Sequence, residues 1–166
     1  MRSLEGGEVL ASDTVTTGGR VITAEVRSGH RFDKRCYSDD ALVLVVTGLS
    51  AAPISKDYCS AYGIGWVKLY VDAKGTPYLF HGVFVGRGTS VRTEHADVYR
   101  LKTRLDELGY VFIEGFATQY ETYRYTYEVS TPPEGGLIVD TTLIPPENPE
   151  GCCEDLARHQ RFRFDP

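Results

Sequence analysis

Residues 66–85 read WVKLYVDAKGTPYLFHGVFV and carry the clearest fold signal in the chain. In the first six of these residues, Trp, Lys or Tyr alternates with Val or Leu, which is the period of two expected of a β-strand. Gly75 and Pro77 then supply turn chemistry before a second apolar run. The stretch therefore predicts an antiparallel β-hairpin.

The flanking segments extend this β character in both directions. Residues 14–26 place the pair Gly18-Gly19 between β-rich flanks, which predicts an earlier hairpin. Residues 41–47, ALVLVVT, are apolar without a period, as expected of a strand buried on both faces at the centre of a sheet. Residues 110–129 and 137–144 predict further strands, with a bend or bulge at Gly115.

One segment is predicted to be an amphipathic helix, over residues 94–108. Its apolar side chains recur at spacings of three and four, at Val98, Leu101, Leu105 and Leu108. Thr93 is placed to cap its N-terminus, and Gly109 follows where helices end in a left-handed residue. The expected fold class is therefore α+β, a predominantly antiparallel sheet of about six strands backed by one amphipathic helix.

Composition sets the domain organisation. The chain has 166 residues, 25% of them charged, and a formal net charge of -5, which is typical of a globular protein. We expect one domain over residues 1–144 and a Pro-rich, charge-segregated extension over residues 145–166. No apolar run reaches the roughly 20 residues of a membrane-spanning helix, and no secretion signal is recognised at the N-terminus.

The four cysteines are Cys36, Cys59, Cys152 and Cys153. A chain of this length does not need disulfides to fold, so a reducing compartment and a cytoplasmic location are the simpler expectation. Cys36 and Cys59 could pair if the protein is exported, whereas the adjacent Cys152 and Cys153 cannot readily bond to each other without backbone strain.

A tyrosine-rich stretch, YETYRYTY over residues 120–127, is the first candidate site. Alternation places Tyr123, Tyr125 and Tyr127 on one strand face and Tyr120 on the other. Such a ladder serves as a protein-binding surface, as a stacking surface for bases or sugars, or as the inner wall of a sheet.

A basic loop offers a second contact for a protein partner. Arg31 and Arg35 lie in it among further basic side chains, and clustered cations attract an acidic surface. Nucleic acid is disfavoured as a partner, because a chain with net charge -5 is not expected to present the broad basic face that a duplex requires.

The turn before the expected helix is a candidate anion site. Free backbone N–H groups, basic side chains and hydroxyls beside a helix N-terminus suit a phosphate. The residues concerned are Gly86, Arg87, Gly88, Thr89, Ser90 and Arg92, with His81 in the preceding strand. The turn lacks the third glycine of a dinucleotide fingerprint and the Lys of a P-loop.

Catalytic and metal signals are weak. Cys152, Cys153 and His159 do not have the paired spacing of a zinc site, and none of the recognised nucleophile or metalloprotease motifs occurs. We therefore predict no catalytic residue, no metal and no cofactor.

The sequence supports three functional hypotheses. The first is a non-enzymatic module acting through protein–protein interaction, as inhibitors, immunity proteins and adaptors do. The alternative is an enzyme or sensor domain that binds a phosphorylated small molecule or nucleotide at residues 86–93. The third is a subunit of a larger assembly, with an exposed edge strand and the tail against its neighbours. No membrane partner is expected, and the sequence does not determine the oligomeric state.

Overall fold

A computed structural model describes residues 7–29, 36, 40–85, 93–116, 122–144 and 158–166 of the chain. These residues form eleven β-strands and contain no α-helix. The strands are β1 Val9–Thr17, β2 Arg20–Ser28, β3 Asp40–Thr47, β4 Ile54–Ser60, β5 Gly65–Val71, β6 Pro77–Val85, β7 Thr93–Leu101, β8 Leu105–Phe116, β9 Thr122–Ser130, β10 Leu137–Ile144 and β11 His159–Phe164.

The strands belong to two antiparallel sheets. The four-stranded sheet has the order β1-β2-β3-β4, and the seven-stranded sheet has the order β11-β10-β9-β8-β7-β6-β5. Within each sheet, every strand pairs with its neighbours in the chain, so both sheets are simple meanders. A short 3-10 turn, Ala61–Gly63, leads from the first sheet to the second.

The expected α+β class is wrong, because residues 94–108 are not helical. They form most of β7 and the beginning of β8, joined by a tight turn in which the Lys102 N–H donates to the Arg104 carbonyl at 3.1 Å. The helical spacing is deceptive because β7 is buried on both faces. Val98 packs into the core on one face of the sheet, and Leu101 packs into the core on the other face. Apolar residues therefore do not follow the simple alternation of a half-exposed strand.

Gly109, predicted to end the helix, lies instead at a β-bulge. Its φ is +141°, and it pairs with Val98, whereas the next residue of β7, Tyr99, pairs with Glu107. Leu108 is thus the extra residue of the bulge. A glycine with positive φ marks both helix ends and bulges, so this residue alone does not distinguish the two structures.

Three of the predicted β segments are confirmed, at residues 14–26, 41–47 and 66–85. β1 and β2 form a hairpin around Gly18 and Gly19, both of which have positive φ. β3 is an inner strand of the four-stranded sheet, between β2 and β4. β5 and β6 form the hairpin predicted over residues 66–85.

The first core lies between the two sheets. Alternate residues of β2 and β3 face the odd-numbered side chains of β5, β6 and β7. Its most buried members are Ile22, Ala24, Val26, Leu42, Leu44, Val46, Leu69, Leu79, Tyr99 and Leu101. At the edge of this core β1 lies beside β5, where the Leu69 N–H donates to the Asp13 carboxylate at 2.8 Å.

The second core lies inside the curved seven-stranded sheet. Tyr70 of β5 bonds through its hydroxyl to Tyr127 of β9, four strands away in the sheet. In a flat sheet these strands would be about 19 Å apart. The Tyr78 hydroxyl likewise donates to the Asp165 carbonyl just beyond β11, at 3.4 Å. The sheet therefore bends back on itself around a core of aromatic and aliphatic side chains, including Tyr78, Phe80, Val98, Val111, Leu137, Val139 and Phe164.

A disulfide joins Cys36 to Cys59 of β4, with a Cα–Cα distance of 5.4 Å. It differs from the reduced thiols that the cysteine count predicts, because sequence spacing does not reveal which cysteines the fold brings together. Cys152 and Cys153 lie outside the described residues.

The last strand comes from the segment predicted as an extension. β11 pairs with β10 from Leu137 opposite Phe164 to Thr142 opposite His159. Residues 145–157 lie outside the described part of the chain. Among the described residues, no helix has the length and apolar character needed to cross a membrane.

A close contact in the second core gives a first testable prediction. Trp66 lies over Gly82 of the neighbouring strand, so a Cβ at Gly82 would overlap the indole ring. The indole is also held in place, because its N–H donates to Glu94 at 2.7 Å. We expect Gly82→Ala to lower the free energy of unfolding by about 2 kcal/mol in urea denaturation, as overpacking does. In a Trp66→Leu background the same substitution should cost much less, and an equal cost there would contradict the assigned contact.

Candidate pocket on the open face of the seven-stranded sheet

The four-stranded sheet covers only part of the outer face of the seven-stranded sheet. It covers Tyr99 and Leu101 towards the end of β7, whereas the beginning of that strand lines an open pocket. The pocket has a volume of about 260 Å³. Its lining residues are Val85, Thr93, His95, Tyr110 and Phe112.

Strand alternation and register bring these residues together. Thr93 and His95 are two apart on β7 and share a face. Thr93 pairs with Val85 of β6, and His95 pairs with Phe112 of β8. Side chains of three adjacent, hydrogen-bonded strands therefore line one pocket.

Asp97, two residues further along β7, orients the imidazole of His95. Its Nε2 lies 3.2 Å from Asp97 Oδ1, and its ring meets Tyr110 edge-on with a centroid distance of 5.6 Å. Burial alone would raise the pKa of Asp97, but the hydrogen bond from His95 and nearby positive charge lower it below its usual value. Asp97 is therefore ionised at neutral pH and holds the imidazole in a fixed orientation.

The pocket wall is aromatic and partly exposed. Tyr110 is 63% exposed, unlike the aromatic residues of the two cores. Phe112, two residues further along β8, contacts the ring of Tyr125 edge-on, with 5.9 Å between the ring centroids. Such a wall can pack against an apolar or aromatic group, while Thr93 and His95 offer hydrogen bonds. Within the described residues, no group of three His, Cys, Asp or Glu side chains could hold a metal ion.

The predicted tyrosine ladder lies largely in the interior. Tyr125 is 6% exposed, and Tyr127 packs against Phe80 in the second core with a centroid distance of 6.2 Å. These positions suit the inner-wall alternative, and binding of a partner through them stays a prediction. Tyr123 belongs to β9 by its backbone, and Tyr120 lies outside the described residues. Arg31 and Arg35 of the basic loop also lie outside them.

The helix that was expected beside the predicted anion site is not formed. Gly86, Arg87, Gly88, Thr89, Ser90 and Arg92 all lie outside the described residues. The next element of the chain is strand β7, so the helix N-terminus that favoured a phosphate there does not exist. His81 is 1% exposed and lies between the two sheets. Burial lowers its pKa to about 4, so the ring is neutral at pH 7.

The pocket residues Val85, His95, Tyr110 and Phe112 were not identified from the sequence. Thr93, His95, Asp97 and Tyr99 occupy every second position, but Glu94 and Arg100 at the alternate positions are polar too, so no clean alternation marks this strand in the sequence. The pairing of β7 with β8 across bulges was not predictable from local sequence.

Comparisons with protein-family models, with curated proteins and with solved structures find no match to this chain.

Proposed function

We propose that the protein is a non-enzymatic binding module whose pocket receives an aromatic side chain of a protein partner. The observation that carries this proposal is the exposed Tyr110, held on a strand beside an open pocket. A tyrosine on a rigid strand buries a large contact area at a small entropic cost, which is why tyrosines are frequent at protein interfaces.

Pocket size favours a side chain over a metabolite. Sites for small molecules occupy about 300–1,000 Å³ and enclose most of the ligand. This pocket, at about 260 Å³, is close to the lower end of that range and open to solvent, so it would not enclose most of a small molecule. It suits a single anchoring side chain, with the rest of the partner lying over the surrounding sheet.

The polar groups favour a side chain that combines a ring with a hydrogen-bonding group. Because Asp97 accepts a hydrogen bond from His95 Nε2, the other ring nitrogen of a neutral His95 is an acceptor. A tyrosine hydroxyl or a tryptophan N–H of the partner could donate to it. Val85 and Phe112 supply the apolar contacts.

Titration of the labelled protein with N-acetyltyrosinamide and N-acetyltryptophanamide tests the proposal. We expect NMR shifts at the amides of Thr93, His95, Tyr110 and Phe112, and a loss of binding of about tenfold or more for Tyr110→Ala. Val21→Ala is the matched control, because Val21 is an exposed apolar residue on the four-stranded sheet. Equal binding by Tyr110→Ala, or shifts produced by inorganic phosphate instead, would contradict the proposal. The latter result would favour the anion-binding alternative.

The disulfide gives information about the cellular compartment in which the protein acts. Disulfides persist in oxidising surroundings and are rare in the cytoplasm. The Cys36–Cys59 bond therefore supports an oxidising compartment as the place of action, in contrast to the cytoplasmic location that the cysteine count predicts. Mass spectrometry after alkylation of the native protein without reductant tests this, since two unmodified cysteines at positions 36 and 59 are expected.

A further inference from the structure

A histidine lies at the centre of the contact between the two sheets. His81 of β6 is 1% exposed, and its ring meets Tyr58 of β4 edge-on, with 4.2 Å between the centroids. Its cross-strand neighbours are Val67 on β5 and Asp97 on β7. The imidazole thus occupies a site that is otherwise suited to an apolar side chain.

The polar groups around His81 come from β4 and β7. Lys56 and Tyr58 face it from β4, and Asp97 and Tyr99 face it from β7. Lys56 Nζ donates to the Tyr99 hydroxyl at 2.6 Å and lies 5.0 Å from the centre of its ring. The remaining charged or titratable groups near this cluster are His95, next along β7, and Glu107 of β8.

None of these groups satisfies the imidazole. Among the described residues, neither ring nitrogen of His81 has a hydrogen-bond partner, and the Tyr58 hydroxyl has none. Asp97, the nearest carboxylate, already accepts from His95. Lys56 is a positive charge on the opposing sheet. A proton added to His81 would therefore create a buried cation without a hydrogen bond, whose attraction to Asp97 is opposed by burial and by the positive charge of Lys56.

The two sheets also meet away from His81, along β1 and β5. There the Asp13 carboxylate accepts from the Leu69 N–H at 2.8 Å, and the Thr17 hydroxyl donates to the Gly75 carbonyl at 2.7 Å. Lys68 lies 3.6 Å from the same carboxylate. The groups described in this contact include no histidine, so protonation of His81 does not act on them directly.

We propose that His81 makes the contact between the two sheets acid-sensitive, because proton uptake by its ring favours an open state in which the four-stranded sheet separates from β6 and β7 while the seven-stranded sheet stays folded. The released sheet exposes an apolar face. A four-stranded sheet without cover on that face is not stable by itself, so its backbone amides then exchange with solvent. The proposal does not depend on the pocket or on a partner.

Hydrogen exchange at pH 7 and pH 5 tests the proposal. The pKa of His81 falls from an ordinary 6.5 to about 4 because of burial, so the open state binds the proton more tightly. At pH 5 this difference should lower the protection of amides in β2 and β3 by about 20-fold relative to pH 7, after correction for intrinsic exchange rates. The fluorescence of Trp66, the single tryptophan, should stay native because its ring lies in the second core.

Two variants separate His81 from other acid effects. His81→Leu removes the proton site and keeps the volume, so protection should be the same at both pH values. His159→Leu is the control, because His159 is exposed on β11, and it should behave like the wild type. An unchanged protection in the wild type at pH 5, an equal fall in His81→Leu, or loss of the Trp66 signal together with the amides would overturn the proposal.

A measurement on the wild-type protein keeps the test valid if His81→Leu does not fold. NMR titration of the histidine ring protons should show His81 titrating below pH 5, separately from the other histidines of the chain. A His81 ring that titrates near pH 6.5 while β2 and β3 stay protected would overturn the proposal.

Discussion

Replacing Asp72 by alanine should lower the free energy of unfolding by about 4 kcal/mol, because the side chain accepts several buried, charge-assisted hydrogen bonds. Asp72 is 5% exposed and follows β5. One carboxylate oxygen accepts from the N–H groups of Lys74 and Thr76, at 2.9 and 2.8 Å, and closes the β5–β6 turn. The other accepts from Gly136 N–H at 2.7 Å.

The bond to Gly136 explains why the effect is not local. Gly136 lies between β9 and β10, so Asp72 joins the β5 edge of the curved sheet to the turn between β9 and β10. Without the carboxylate, a buried N–H loses its acceptor, and the second core loses a contact that keeps the sheet bent. Urea denaturation of Asp72→Ala measures the cost. Asp140→Asn is the control, because Asp140 pairs with Arg161 on the exposed edge and such pairs contribute about 0–1 kcal/mol.

The same carboxylate predicts a dependence on pH. Burial alone would raise the pKa of Asp72, but the three backbone N–H groups outweigh burial and hold the pKa below its usual value. Since the folded pKa is below the unfolded pKa, the stabilisation is present above about pH 4 and is lost as the pH falls through the folded pKa. Asp72→Asn should therefore lose less stability than the wild type between about pH 4 and pH 2. An identical acid profile would contradict this role of the charge.

Replacing both Cys36 and Cys59 by serine should lower the free energy of unfolding by about 3 kcal/mol. The bond closes a loop with a sequence separation of 23 residues, and its loss enlarges the conformational freedom of the unfolded chain. Cys36 is buried although the residues on either side of it lie outside the described part of the chain. The disulfide therefore joins Cys36, which lies between β2 and β3 in the chain, to the edge strand β4.

Chemical denaturation with and without reductant measures the contribution of this bond. The wild type should lose about 3 kcal/mol on reduction, and the double serine variant should not respond to reductant at all. Equal stability of oxidised and reduced wild type would show that the bond does not contribute to the free energy of unfolding. A variant that still responds to reductant would indicate that another pair of cysteines carries the effect.

Local patterns were sufficient for two of the hairpins of this protein. Alternation over residues 66–71 and the turn residues Gly75 and Pro77 specify β5 and β6, because both signals act within a few residues of each other. The pair Gly18-Gly19 acts in the same way for β1 and β2. The helical spacing over residues 94–108 misled because burial on both faces removes the alternation on which a strand prediction depends.

The candidate site was limited in the same way. The sequence singles out His81, because a histidine within an apolar run requires a hydrogen-bond partner. Its neighbours Tyr58 and Tyr99 are not predictable, because they belong to strands that only tertiary packing brings near. The pocket beside Tyr110 was missed because its lining comes from three strands. Residues 86–92 and 117–121 lie outside the described part of the chain, so the anion hypothesis for the first of these segments stays a prediction.

The sequence by itself determined that the chain is rich in antiparallel hairpins, because turn residues and alternation act over short distances. Only the tertiary structure decided that residues 94–108 are strands, that Cys36 meets Cys59, and that one sheet bends back on itself. Those outcomes depend on contacts between residues far apart in the chain. The free energy of such contacts comes from surfaces that exist only once the sheets have formed.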